Sequence, residues 1–173
     1  MTYNELGLLI DYHYWARDRV LDAVSTITYD QFVLPLGNSF SCVRDTLGHL
    51  CNAERIWIAR WKGEKPPESL TFERLPDVEA IRKEWAELER ELRGQLAHLR
   101  PDTVERTIMY QDLRGNDQAD LLWQIVQHVV NHGTYHRGQI TTMLRQLNAT
   151  PPKSMDLIAF YRERNRESAT RPL

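Results

Sequence analysis

The sequence predicts an all-α protein, an antiparallel four-helix bundle with a short additional C-terminal helix. Long stretches carry apolar residues at helical spacing, and short breaks rich in proline and glycine separate them. The chain has 173 residues, which suits one domain and can bury a sizeable core without disulfides. We therefore expect a single domain over residues 1–166 and a polar tail over residues 167–173.

Five helical segments follow from this pattern of amphipathic stretches and breakers. They cover about Asn4–Ser25, a segment from Ser39 or Ser41 to Gly63, Asp77–Leu99, Asp117–Asn148 and Ser154–Arg166. Either serine can cap the second helix, and Asp77 is a suitable N-cap for the third. Thr28–Phe40 is predicted to be a loop because it contains proline and glycine. Thr103–Gln111 alternates apolar and polar residues, which predicts a short strand or hairpin arm before the fourth helix.

The composition is that of a soluble globular protein, with 42% apolar and 27% charged residues. A formal net charge of -2 gives no broad attraction to nucleic acid or to anionic membranes. No stretch approaches the ~20 apolar residues of a spanning helix, and the N-terminus lacks the pattern of a signal peptide. The two cysteines, Cys42 and Cys51, form no disulfide framework. We therefore expect a cytoplasmic protein with small-molecule partners rather than nucleic acid or membranes.

The fourth predicted helix carries His128, His132 and His136 at successive steps of four residues. Residues at this spacing share a helix face with Cβ atoms ~5–6 Å apart, so two imidazoles can point at one metal ion. A helical wheel places His132 and His136 within the apolar face and His128 toward its edge. Two imidazoles in a core face need a shared partner, which favours a metal ion. From spacing alone, ordinary buried or surface histidines are an equally good explanation.

A third ligand has to come from another helix, and the residues leave three candidates open. His13 lies near the centre of the first helix's apolar face, and Glu54 lies similarly on the second helix. His49 lies on the flank of the second helix's apolar stripe. Geometry alone does not choose among them. The residues between His132 and His136 include no glutamate, so the general base of a zinc protease is absent from this motif.

Several runs resemble the DinB family over nearly the whole chain. The most specific is Asn131–Ile140, and it is supported by Asp45–Leu50 with Glu54 and Trp57 following, and by the start Tyr14–Arg17. Arg17 stands where the family usually has asparagine. The resemblance implies an antiparallel four-helix bundle, often a homodimer. It also implies a divalent metal ion, such as nickel or zinc, held by His49, His132 and His136.

The resemblance also bears on chemistry, because related members transfer low-molecular-weight thiols or isomerise substrates with a thiol cofactor. We expect a metal-dependent thiol S-transferase acting on electrophilic small molecules. A metal-dependent hydrolase and a non-enzymatic, stress-related metal or small-molecule binding protein are the alternatives. Arg17 and Arg137 are candidates to hold a carboxylate of the substrate or cofactor, although either guanidinium can equally be a structural ion-pair partner.

Smaller features of the fourth helix bear on the same site. Tyr135 and Gln139 flank His136 and are candidates to orient the metal ligands. Gly133 and Gly138 each cost ~1 kcal/mol relative to alanine within a helix. Close approach of a neighbouring helix or of a ligand would explain them, and so would simple tight packing.

Overall fold

The computed structural model describes residues 1–170 and, in that range, is mostly helical. The elements in chain order are α1 (Tyr3–Val24), α2 (Tyr29–Val33), α3 (Val43–Lys62), α4 (Val78–Ala97), a 3₁₀ turn (Pro101–Thr103), β1 (Thr107–Gln111), β2 (Asp117–Leu121), α5 (Leu122–Gln146) and α6 (Leu157–Thr170). The fold prediction is confirmed, since four long helices bundle around one apolar core and a short helix follows them.

Caps in the sequence explain where the long helices begin and end. The Thr2 hydroxyl accepts from the Glu5 amide, and the Glu5 carboxylate accepts from the Thr2 amide, which starts α1. Asp77 caps α4 through the amide of Ala80, as predicted. Gly63 ends α3 with φ 75°, a left-handed conformation that glycine adopts at little cost.

The bundle arranges α1 against both α4 and α5, and α3 likewise against α4 and α5. The core between them includes Leu6, Leu47, Trp85 and Ile140, each almost completely buried. This packing brings the middle of α3 next to the middle of α5. No helix among residues 1–170 is long and apolar enough to cross a membrane.

The structure corrects the prediction for the segment between α1 and α3. The predicted loop Thr28–Phe40 contains the short helix α2, because Thr28 and Gln31 cap each other's backbone amides. Helix α3 begins at Val43 after Cys42, rather than after Ser39 or Ser41, and Cys42 contributes no side-chain cap. The loop before α3 is therefore longer at its C-terminal end than the serines suggested.

The second correction concerns the start of the longest helix. Asp117–Leu121 is not helical but forms β2, which pairs antiparallel with β1. The turn between them contains Gly115 at φ 83°. The hairpin arm predicted within Thr103–Gln111 is confirmed, and its partner strand is the segment assigned by the sequence to the helix.

At the C-terminus, the last helix begins at Leu157 rather than near Ser154 and continues to Thr170. The first four residues of the predicted tail, 167–170, are thus helical. Residues 171–173 of that predicted tail lie outside the described part of the chain.

Candidate metal centre

Three histidines from two helices bring their ring nitrogens together. His49 lies on α3, and His132 and His136 lie one turn apart on α5. The Nε2 atom of His132 lies 3.0 Å from Nε2 of His49 and 3.1 Å from Nε2 of His136. Among the described residues, these three form a group whose ligand atoms all lie within 4.8 Å of one another.

The spacing of these nitrogens is compatible with a shared ion as well as with hydrogen bonds, and the number of available protons favours the ion. Nitrogens bound tetrahedrally at ~2.0–2.1 Å from one ion lie ~3.3 Å apart, close to the two observed separations. A neutral imidazole carries only one N–H, so the Nε2 atom of His132 can donate to at most one of its two neighbours. The three histidines can therefore hold a divalent metal ion.

Burial and neighbouring imidazoles favour the neutral form of two of these histidines, His132 and His49. Burial lowers the pKa of His132 to about 4, and the neighbouring rings of His136 and His49 act in the same direction. Burial also lowers the pKa of His49, followed by the effect of His136. Neutral rings offer lone pairs, which is what a metal ion requires of them.

The ring of His136 is oriented by a glutamine one turn further along α5. Its Nδ1 lies 2.7 Å from Oε1 of Gln139, and Nε2 of Gln139 donates to Oγ of Ser39 at 2.9 Å. An amide oxygen can only accept, so Oε1 in this position takes the Nδ1 proton and Nε2 of His136 keeps its lone pair for the site. The predicted orienting role of Gln139 thus has a definite geometry.

Phe40 borders the histidines from the loop before α3. Its ring stacks on His49 with centroids 4.2 Å apart and lies 5.5 Å from His136. Tyr135 meets the other side of His136 edge-on at 5.0 Å, but its side chain is 62% exposed. Tyr135 therefore lies at the exposed edge of the site and contacts His136 through its ring.

His128, the first histidine of the series, stays outside the group. It is exposed, and its ring stacks against His132 at 5.7 Å and meets Trp57 edge-on at 5.0 Å. The helical wheel anticipated this separation of His128 from the other two.

Comparisons with known proteins identify the family of this chain and two similar proteins. The DinB-family model matches residues 1–167. This chain belongs to the DinB family. Protein DinB of Bacillus subtilis (strain 168) is 25% identical to it over 159 residues, covering 88% of this chain and 92% of that protein. The crystal structure of a DinB-like protein from Bacillus cereus ATCC 10987 covers 84% of this chain and 95% of its own with a TM-score of 0.62. At 13% sequence identity, that second likeness shows the fold alone.

The other two ligand candidates in this DinB-family chain pair with each other instead. Nε2 of His13 lies 3.0 Å from Oε2 of Glu54, and both side chains are almost fully buried. The carboxylate also accepts from the Tyr14 hydroxyl at 2.5 Å and from Trp85 Nε1 at 2.6 Å. Burial raises the pKa of Glu54, but His13 and these hydrogen bonds outweigh it and lower the pKa overall.

Both arginines proposed for cofactor binding lie in the bundle interior. Arg17 binds Asp18 at 2.7 Å and Glu89 at 2.6 Å through Nη2. Arg137 is 2% exposed and donates to Oγ1 of Thr134. These contacts favour structural roles, and binding of a substrate or cofactor carboxylate by either arginine stays a prediction.

Three residues of this region escaped the sequence analysis. Phe40 and Ser39 lie in a segment without periodicity, so no pattern linked them to the site, and Ser39 was considered only as a helix cap. Trp85 is an aromatic residue on the buried face of a strongly charged helix, and that placement was the available signal. Its indole donates a hydrogen bond to Oε2 of Glu54 at 2.6 Å.

Proposed function

We propose that this chain binds one divalent metal ion through His49, His132 and His136 and is a metal-dependent enzyme that acts on small molecules. The observation that carries the proposal is the convergence of three Nε2 atoms. That of His132 lies 3.0 Å from that of His49 and 3.1 Å from that of His136. Three protein ligands leave an open position on a four-coordinate ion, the arrangement typical of catalytic rather than structural sites. The choice of nickel, zinc or a similar ion is left to metal analysis.

The reaction that we propose is the transfer of a low-molecular-weight thiol to an electrophilic small molecule. A bound divalent ion lowers the pKa of whichever nucleophile takes its open position. A free thiol has a pKa of about 8.5, whereas that of water is 15.7, so a thiol needs much less assistance. Among the described residues, no carboxylate belongs to the histidine group, which supports a nucleophile that ionises without a carboxylate in that group as general base.

The protein's own residues would orient this reaction. Gln139 holds His136 in the tautomer that binds metal, and the Phe40 ring against His49 provides an apolar wall for a substrate. In the proposed step the sulfur loses its proton to solvent and forms a bond to the electrophilic carbon. The leaving group departs with the electron pair of the bond that breaks.

Cobalt-loaded protein tests the proposal directly. We expect glutathione, bacillithiol or mycothiol to produce sulfur-to-cobalt charge-transfer absorption, followed by conjugation when a panel of electrophiles is added. His136→Ala should lose both signals, whereas His128→Ala, a change of an exposed histidine on the same helix, should keep them. Bound cobalt without a thiol signal or conjugation would reject the thiol reaction, and hydrolysis of an ester and amide panel would then support the hydrolase alternative.

The homodimer and the cytoplasmic location implied at the outset stay predictions. Light scattering of the purified protein and fractionation of cells that express it test them.

A further inference from the structure

An arginine near the hairpin is almost buried and has no acidic partner. Arg60 lies on α3 and is 6% exposed. Its Nη2 donates to the carbonyl of Gln111 on β1 at 3.0 Å, and no carboxylate within residues 1–170 forms an ion pair with it. Burial lowers the pKa of Arg60, and Tyr110 and Asp112 offset that effect only in part. A guanidinium taken out of water without a counter-charge is costly, so this position suits an anion from outside the chain.

The carboxylates of the hairpin bind other groups. Asp112 accepts from the backbone amides of Arg114 and Asn116 at 2.8 and 2.9 Å, within the turn. Asp120 accepts the hydroxyl of Tyr110 at 2.6 Å. Neither carboxylate forms an ion pair with the guanidinium of α3, so the hairpin leaves that charge uncompensated.

Two aromatic rings hold the Arg60 guanidinium in place. Its Cζ atom lies 4.5 Å from the ring centroids of both Trp57 and Tyr110, and these two rings meet edge-on at 5.3 Å. Such cation–π contacts stabilise a cation without using its N–H groups as hydrogen-bond donors. Nε is buried without a partner, whereas Nη1 has no partner among the described residues and is not sealed from solvent. Nη1 is therefore the donor that an external anion can reach.

Arg60 lies on the same side of α3 as the metal ligand His49. The two residues are eleven positions apart, close to three whole helical turns, and so about 16 Å apart along the axis. The guanidinium lies over Trp57, one turn before Arg60, so the side chain extends back toward His49, as helical side chains do. Trp57 in turn contacts His128, which stacks on the metal ligand His132. The free donor of Arg60 thus belongs to the face of α3 that leads from the hairpin to the histidine group.

We propose that Arg60 forms a subsite that binds a carboxylate of the thiol substrate, between the metal centre and the hairpin. The proposal rests on the proposed thiol reaction, in which the sulfur of the same molecule takes the open position on the metal ion. Arg17 and Arg137 lie in the bundle interior, whereas Nη1 of Arg60 is open to solvent. The carboxylate supplies the counter-charge that the chain lacks, through the charge-assisted hydrogen bond that arginine forms well. The substrates are then thiols that carry a carboxylate several bonds from sulfur.

The affinities of two thiols for cobalt-loaded protein test this subsite. Sulfur-to-cobalt absorption follows the binding of glutathione, which carries carboxylates, and of its diethyl ester, which carries none. We expect Arg60→Met to weaken glutathione binding about 10–100-fold, as for loss of a hydrogen bond to a charged group, and to leave the binding of the ester and of cobalt unchanged. Arg55→Met is the matched control, since Arg55 lies on the same helix but contacts Glu84 and the carbonyl of Glu68. Equal affinities of the two thiols for wild-type protein, or equal weakening of both by Arg60→Met, would overturn the subsite.

Nitrogen-15 NMR of the full-length wild-type protein, with and without zinc, gives a second test that needs no variant to fold. We expect S-methylglutathione, whose sulfur has no proton to lose, to shift the side-chain N–H signals of Arg60 until they saturate. Its diethyl ester should leave them unchanged. No shift with S-methylglutathione, or the same shift with the ester, would overturn the subsite. If the shift appears but cobalt-loaded wild-type protein gives no absorption band with any thiol, the proposed thiol reaction fails and the carboxylate subsite stands.

Discussion

Nδ1 of His136 lies 2.7 Å from Oε1 of Gln139, and Ser39 holds the other end of the same amide. The hydrogen bond between Gln139 and Ser39 links α5 to the loop before α3. The contact with Gln139 leaves Nε2 of His136 free to face His132 and makes Gln139 the residue that orients one ligand of the proposed metal ion.

Replacement of Gln139 should therefore weaken metal binding while leaving the fold intact. We expect Gln139→Ala to lower metal affinity about 10–100-fold, because His136 loses the acceptor that fixes its tautomer. Gln146→Ala, a change of an exposed glutamine on the same helix, is the control. Competition with a chelator of known affinity measures the effect, and unchanged affinity in Gln139→Ala would remove Gln139 from the account.

The two glycines of α5 should respond oppositely to alanine. A Cβ at Gly133 would lie 2.7 Å from Nη1 of Arg137 and 3.0 Å from Cε1 of His13, whereas a Cβ at Gly138 would meet nothing within 4 Å. Overpacking costs about 1–3 kcal/mol, so Gly133→Ala should destabilise the protein despite its gain in helix propensity. Gly138→Ala should stabilise it by up to about 1 kcal/mol. Urea unfolding of both variants measures the difference, and a stable Gly133→Ala protein would contradict the close approach of His13.

The lowered pKa of Glu54 predicts a stability that falls in acid. The unfolded chain binds a proton at the ordinary glutamate pKa, here 4.5, whereas the folded chain holds Glu54 ionised to lower pH. Below that value the unfolded state binds more protons, so stability rises with pH across this window and is lost as pH falls through the folded pKa. Glu54→Gln should remove this part of the pH dependence. If the free energy of unfolding changed by the same amount between pH 3 and pH 6 in both proteins, the assignment would be contradicted.

Arg17 should matter for folding more than for binding. Its guanidinium contacts Asp18, Glu89 and the carbonyl of Trp85, and hydrogen bonds to charged groups contribute about 1.5–3 kcal/mol each. Arg17→Leu is expected to lower the free energy of unfolding by about 2 kcal/mol. Thiol affinity, measured on the folded fraction by calorimetry, should stay the same. A selective loss of thiol affinity would instead support Arg17 as a carboxylate-binding residue.

The sequence predicted the α5 pair well because the information is local. His132 and His136 are four residues apart, and the wheel alone placed both in the apolar face and His128 at its edge. The third ligand depends on tertiary packing. His49 lies on the flank of the apolar face of its helix, whereas His13 and Glu54 lie near the centres of the apolar faces of theirs. No local feature of the sequence excluded His13 or Glu54 as the third ligand. In the structure His13 pairs with Glu54, and Trp85 and Tyr14 bind the same carboxylate from α4 and α1.

The difference between local and tertiary information also explains why the start of α5 was predicted wrongly. Asp117–Leu121 is polar and short, and helix α5 follows it directly. Its conformation is decided by pairing with Thr107–Gln111, a non-local interaction that periodicity does not record. The short helix α2 was missed for a different reason, since its Thr28–Gln31 capping box lies in a segment where Pro35 and Gly37 suggested a loop.

The metal content of purified protein tests the central claim most directly. After loading with zinc or nickel and removal of free metal, the account predicts one bound ion per chain in the wild-type protein and in His128→Ala. It predicts loss of that ion in His49→Ala, His132→Ala and His136→Ala, each confirmed as folded by circular dichroism. One ion per chain retained in the double variant His132→Ala/His136→Ala would contradict the site.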